Sequence, residues 1–140
     1  MDHTHTKFNN PKIIGPGIWY LLHERAFNVI SYTDKITLVE DVKRLQINFP
    51  CVECGRHMGE YMKTFDIIDS INIESGLFIY LWKFHNAVNV RLNKPTITLE
   101  DAKTLFDSGS GFCITGCDEG GESQLVTNDK IKRTNFLSPY

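Results

Sequence analysis

Apolar residues return every three to four positions through successive stretches of this chain, and that period makes helices the elements from which its core is built. The first stretch, from Pro16, puts Ile18, Leu22, Ala26 and Val29 on one stripe, with Trp19 and Ile30 alongside. The second, capped at Thr33 or Asp34, carries Ile36, Val39, Val42, Leu45 and Phe49. Pro50 disfavours helix at Phe49 and suits the first turn of a third helix, expected from Cys51 to Phe65. A polar loop near Asp69–Ser75 leads to a fourth helix, where Leu77, Leu81, Phe84, Val88 and Leu92 share a stripe that stops before Pro95. Thr98 and Asp101 have the spacing of a capping box for a short fifth helix through Phe106.

Either side of this region the pattern fades. Residues 1–15 read as an irregular arm, and 108–140 hold five of the ten glycines with few periodic apolar positions. No internal repeat occurs, and Ile71–Ile73 is too short a run to argue a strand. The expected fold is all-α: an up-and-down four-helix bundle with a short fifth helix over residues 1–107, then an irregular C-terminal tail, 108–140, carrying Cys113 and Cys117.

Composition narrows the function. A chain of 140 residues buries roughly two-thirds of its unfolded surface without help from metal or cross-links. A net charge of −2 and a pI near 6.2 provide no basic face for nucleic acid. The longest apolar runs, 18–22 and 77–81, are too short to span a bilayer. The start, Met1-Asp2-His3-Thr4-His5, has neither the basic nor the apolar region of a secretory signal, so a cytoplasmic protein is expected. His3 and His5 read as solvated. Four cysteines in two close pairs then point to working thiols or metal ligands before structural staples.

Cys51-Val52-Glu53-Cys54 follows Pro50 at a helix start, where free N–H groups favour a thiolate. Such a pair opens and closes a disulfide with little backbone movement, or supplies half of a zinc site, and the spacing alone leaves both open. Helix geometry adds context, since positions three and four apart share a face. Trp19 and His23 are so related, as are Cys54, His57 and Tyr61, and Trp82, His85 and Asn89, with Asn86 beside them. Stripes of rings and amides suit a flat aromatic ligand with a polar edge, and Arg91 and Lys94 at the end of the fourth helix suit its phosphates. The residues therefore point to a nucleotide-bearing aromatic cofactor beside a redox dithiol. Against this stand plainer roles: core packing for the rings, dipole complementation for Arg91 and Lys94, and a helical binding module with structural zinc at Cys51, Cys54 and His57.

Four motifs stand together in one order: Gly15-Pro16-Gly17-Ile18-Trp19-Tyr20-Leu21-Leu22-His23, Phe49-Pro50-Cys51-Val52-Glu53-Cys54-Gly55-Arg56-His57, Phe84-His85-Asn86-Ala87-Val88-Asn89, and Arg91-Leu92-Asn93-Lys94-Pro95. Over residues 15–106 the chain resembles the FAD-dependent sulfhydryl oxidases of the Erv/ALR type. The resemblance implies a homodimer with FAD at the bundle mouth and no metal. It implies a Cys51–Cys54 active-site disulfide, with Cys51 attacked by substrate and Cys54 facing the isoalloxazine. Gly15, Trp19, His23, His57, Trp82, His85, Asn86, Asn89, Arg91 and Lys94 would surround the cofactor. Electrons would pass from protein dithiols, or a thioredoxin-like relay protein, through FAD to dioxygen, giving peroxide. The chain has no cysteine before Cys51, unlike cellular members with an extra disulfide, and so resembles the compact members of large DNA viruses, which act in the host cytoplasm. Cys113 and Cys117 resemble in kind the shuttle dithiols carried on flexible arms, with a structural or idle pair the alternative.

Overall fold

The computed structural model describes residues 10–107. They form α1 (Pro11–Asn28), α2 (Tyr32–Ile47), α3 (Val52–Thr64), a 3₁₀ turn (Ile67–Ser70), α4 (Gly76–Arg91) and α5 (Leu99–Asp107), with no strand among the described residues. The expected tail, with Cys113 and Cys117, lies outside the described residues, as do His3 and His5.

α4 occupies the centre. Leu77, Phe78, Leu81, Phe84, His85, Val88 and Asn89 are all buried, so more than one face of the helix is covered. Along α1, Trp19 meets His85 and Phe27 meets Phe78, which makes the two helices antiparallel. Along α3, Tyr61 stacks on Phe84, while Met58 and Val88 line one pocket nearer the other end, so this pair is antiparallel too. α2 joins α1 through an Arg25–Asp41 ion pair at 2.9 Å. α5 closes one end, with Phe106 packed on Tyr20, His23, Phe27 and Phe78. Among the described residues, no helix is long and apolar enough to cross a membrane.

The helix ends show where the sequence pattern was incomplete. α1 begins at Pro11 rather than Pro16, because Asn10 Oδ1 accepts from Lys12 N at 3.0 Å and Pro11 needs no donor at the first helical position. Pro16 then falls inside the helix, where it removes one N–H donor near the N-terminal end. Ser31, not Thr33 or Asp34, caps α2: its Oγ accepts from Asp34 N at 3.1 Å and donates to the Asp34 carboxylate, a reciprocal cap. Pro50 lies outside α3, whose N-cap is Cys51. The expected polar loop begins with the 3₁₀ turn, capped by Asp66 and anchored by buried Ile67 and Ile71. Thr98 caps α5 as its spacing indicates, accepting from Asp101 N at 3.1 Å.

Two turns bracket α4. Its C-terminus is a Schellman motif: Asn93 takes a left-handed φ of 55°, its N–H reaches Val90 O at 3.0 Å, and Lys94 N reaches Asn89 O at 2.8 Å. At the N-terminus, Gly76 passes so close to the 3₁₀ turn that an added Cβ would lie 2.1 Å from Ser70 O. Gly76→Ala is expected to cost about 1–3 kcal/mol by overpacking against backbone. That corresponds to a drop of at least about 4 °C in thermal midpoint. An unchanged midpoint in a circular dichroism melt would show that the Ser70 carbonyl can withdraw.

Candidate active site

The corner between α2 and α3 places the cysteine pair. Gly55 and Gly59 are one turn apart and leave room for Gln46, whose Nε2 donates to Gly55 O at 3.0 Å. A Cβ at Gly55 would lie 3.0 Å from Gln46 O and 3.3 Å from Phe49 Cβ, so the absence of a side chain lets the end of α2 sit on the first turn of α3. On that turn Cys51 and Cys54 are joined in a disulfide, their Cα atoms 5.2 Å apart. The N-cap bond comes from the same pair, Cys54 N to Cys51 Sγ at 3.3 Å. Both sulfurs are committed to the bond, which leaves no thiolate for the zinc reading, and no group of three possible metal ligands occurs among the described residues.

The two sulfurs differ in surroundings. Cys51 is half-buried beside Val52, which is 85% exposed, whereas Cys54 is only 8% exposed. Cys54 faces a narrow pocket of about 30 Å³ that Gly15, Trp19, His57, Val88 and Arg91 also line, the rest being apolar side chains. His57, Val88 and Arg91 continue into an open groove of about 290 Å³ between α3 and α4.

Behind the pocket stands a column of near-parallel rings. Trp19 stacks on His85 at 4.0 Å with 2° between the planes, and His23 lies 5.2 Å from His85 at 22°. His23 Nε2 and His85 Nδ1 are 2.9 Å apart, so one ring donates and the other accepts. Burial drives the His23 pKa down to about 3. It also holds His85 well below the usual imidazole range, with the His23 charge adding to the effect. Both rings are neutral at pH 7.

The remaining candidates separate. Asn89, one turn beyond His85, is fully buried, and neither its amide nitrogen nor its oxygen has a hydrogen-bond partner among the described residues. A buried donor and acceptor left open together fit the edge of a polar heterocycle. Trp82 and Asn86 turn instead to the chain before α5: Trp82 Nε1 and Asn86 Nδ2 each donate to Ile97 O at 2.8 Å, and Asn86 Oδ1 accepts from Ile97 N at 3.1 Å. Lys94 is half-buried at the Schellman turn, and Arg91 is exposed at the pocket's rim. Sequence reading missed Gln46, whose only trace is the Gly55–Gly59 spacing. It also missed the surface cluster of Glu53, Arg56 and Glu60 around His57.

The neutral histidines make stability depend on acid. With a folded pKa near 3 against 6.5 unfolded, His23 binds its proton more weakly when folded. Stability is therefore whole above pH 6.5 and falls with pH below it, by about 3 kcal/mol at pH 4 from His23 alone. Urea unfolding at pH 7 and pH 4 should show this loss, and His23→Phe should shrink it. Equal losses in parent and variant would assign the acid sensitivity to groups other than His23, His85 and the carboxylates among them.

Comparison with known proteins places this geometry. The model of the Erv1 / Alr family matches residues 16–107. A protein of Invertebrate iridescent virus 3 named as a FAD-linked sulfhydryl oxidase is 32% identical over 103 residues, covering 69% of this chain and 66% of its own. One of Frog virus 3, similarly named, is 32% identical over 104 residues, covering 69% and 67%. A FAD-linked sulfhydryl oxidase of African swine fever virus is 25% identical over 96 residues, 66% of this chain and 79% of its own. The chain thus spans about two-thirds of the length of the two iridescent and frog virus relatives. No solved structure matches it. With its helical bundle, its cysteine pair at the start of α3 and a family match over most of its length, the chain belongs to the Erv1/Alr family.

Proposed function

We propose that this protein is a FAD-linked thiol oxidase that forms disulfides in protein substrates. One observation carries the reading: the Cys51–Cys54 disulfide joins a half-buried cysteine to one that is 8% exposed and lines a pocket with Trp19 and His57. An incoming thiolate attacks Cys51 Sγ, the S–S bond breaks, and Cys54 leaves as the thiolate inside the pocket. A second substrate thiol then resolves the mixed disulfide, leaving Cys51 reduced at the N-terminus of α3. There the Cys54 N–H bond and the helix dipole favour its thiolate.

The flavin, when bound, accepts the electron pair from this dithiol. Trp19, His57 and Cys54 would hold its ring system. Asn89 would supply the missing edge contacts, His23 and His85 would back the ring from behind, and Arg91 and Lys94 would meet phosphate. Gly15 would allow close approach, and Trp82 and Asn86 would bound the site from the Ile97 side. The names of the viral relatives support FAD as the cofactor and a viral protein, for which action in the host cytoplasm is proposed. Dioxygen is the proposed final acceptor, giving hydrogen peroxide. Protein dithiols or a thioredoxin-like relay are the proposed donors, and residues 108–140 the proposed carrier of a second, shuttling pair, Cys113 and Cys117. Two copies are proposed to pair; exposed Ile13 and Leu21, flanking the open Gly17 on one face of α1, support that arrangement.

Two sets of variants test the reading. Cys51→Ser leaves Cys54 as a lone thiolate beside oxidised flavin and should produce a long-wavelength absorbance band, whereas Cys54→Ser should lack it. Both should lose dithiol oxidation to background, and the band appearing in Cys54→Ser would reverse the two roles. Asn89→Leu removes the open amide and should leave the flavin-free protein as stable as the parent, or more so by about 1 kcal/mol. It should also lower the flavin recovered per chain; full flavin content in a folded Asn89→Leu protein would remove Asn89 from the site.

A further inference from the structure

His57 faces two ways. Its Nδ1 is sealed from solvent with no hydrogen-bond partner among the described residues, and its ring lines the pocket of Cys54, three residues earlier on the same helical face. Its Nε2 lies 2.8 Å from Arg56 Nη2 and 3.2 Å from Glu53 Oε1. Arg56 in turn pairs with Glu53 at 2.6 Å and with Glu60. The hydrogen bond from Arg56 holds the Glu53 carboxyl below its usual range, so Glu53 stays an acceptor.

The outer nitrogen therefore has two partners of opposite sense. With the proton on Nε2, the ring donates to Glu53 and the buried Nδ1 carries a lone pair on a ring that lines the pocket. With the proton on Nδ1, Nε2 accepts from Arg56 and the buried Nδ1 carries an N–H. Neither tautomer leaves the outer nitrogen unsatisfied, so the inner one can act as base or acid without losing its anchor. Among the described residues lining the pocket, Arg91 on α4 is the charged group contributed by another helix, and those from α1 and α2 carry no titratable group. Glu60 faces His57 from its own helix, along the groove.

We propose that His57 is the proton relay between the Cys54 pocket and solvent, with Glu53 and Arg56 selecting its tautomer. The proposal rests on the oxidase reading above. Counted from the protonated dithiol, re-forming the disulfide takes one proton from each sulfur as it becomes the thiolate, makes one S–S bond and releases two electrons. The electron pair goes to the flavin ring. The Cys54 proton goes to His57 Nδ1 as the thiolate forms, while Nε2 gives its proton to water and Glu53 stays ionised as its hydrogen-bond acceptor; the Cys51 proton passes directly to solvent. In the other tautomer, Nδ1–H returns a proton to the pocket as the ring system is reduced.

The test uses the full chain purified with FAD, reduced in a single turnover by dithiothreitol without oxygen. His57→Gln should slow flavin bleaching about 100-fold, and added imidazole should restore part of the rate. Glu53→Gln, on the exposed face, should shift His57 toward the Nδ1–H tautomer, read from ring ¹⁵N shifts with no turnover at all. A flavin-replete His57→Gln protein with the parent's rate, or one that imidazole leaves unrescued, would overturn the relay. So would a single unchanging tautomer in parent and Glu53→Gln, which decides the matter even where His57→Gln loses its flavin. A parent protein whose flavin dithiothreitol does not bleach would overturn the oxidase reading itself, and the relay with it.

Discussion

Burial of α4 along its length is the constraint on which the rest of the domain depends. A helix covered on several sides must satisfy every polar side chain it carries, because an unpaired donor or acceptor in that environment is costly. Two sectors of α4 meet the demand from within the chain, and a third leaves it open. Trp82 and Asn86 spend their polar atoms on the Ile97 backbone, His85 pairs with His23, and Asn89 keeps its amide open. The apolar remainder, Phe84 and Val88, joins α4 to α3 beside the cysteine pair. One helix thus ties the chain before α5, the ring column and the sulfur-bearing corner together.

That corner places chemistry on a turn whose position is set elsewhere. Gln46 and Phe49, from α2 and the connection after it, contact Gly55, and the disulfide sits just N-terminal to that contact. The cysteine pair is therefore referenced to two helices at once, with Cys51 half-buried and Cys54 buried. Precision of this kind matters because a sulfur displaced by an ångström from its acceptor loses much of the advantage of proximity.

The stripe Leu77, Leu81, Phe84 and Val88 was legible in the sequence because its period is that of a helix and all four are buried. The cap at Thr98 was legible for the same kind of local reason. Pro16 misled, since a proline subtracts one hydrogen bond while a well-capped helix gains several, and the balance depends on Asn10 six residues earlier. Spacing also placed Trp82, Asn86, His85 and Asn89 on adjoining faces, but α4 is covered on several of them, so spacing did not tell which neighbour each would meet. Gln46 could not be found by pattern because its partner is a backbone carbonyl, which every residue possesses.

The hold of Asn86 on Ile97 works as a neighbouring strand would, taking the N–H and giving to the C=O of one residue. It recognises main chain, and so it is indifferent to the side chain presented there. Position 97 is accordingly held by its main chain whatever side chain it carries, with a proline the one replacement that would take away the donated hydrogen. Latitude at this one position and rigidity of the path through it come from the same amide.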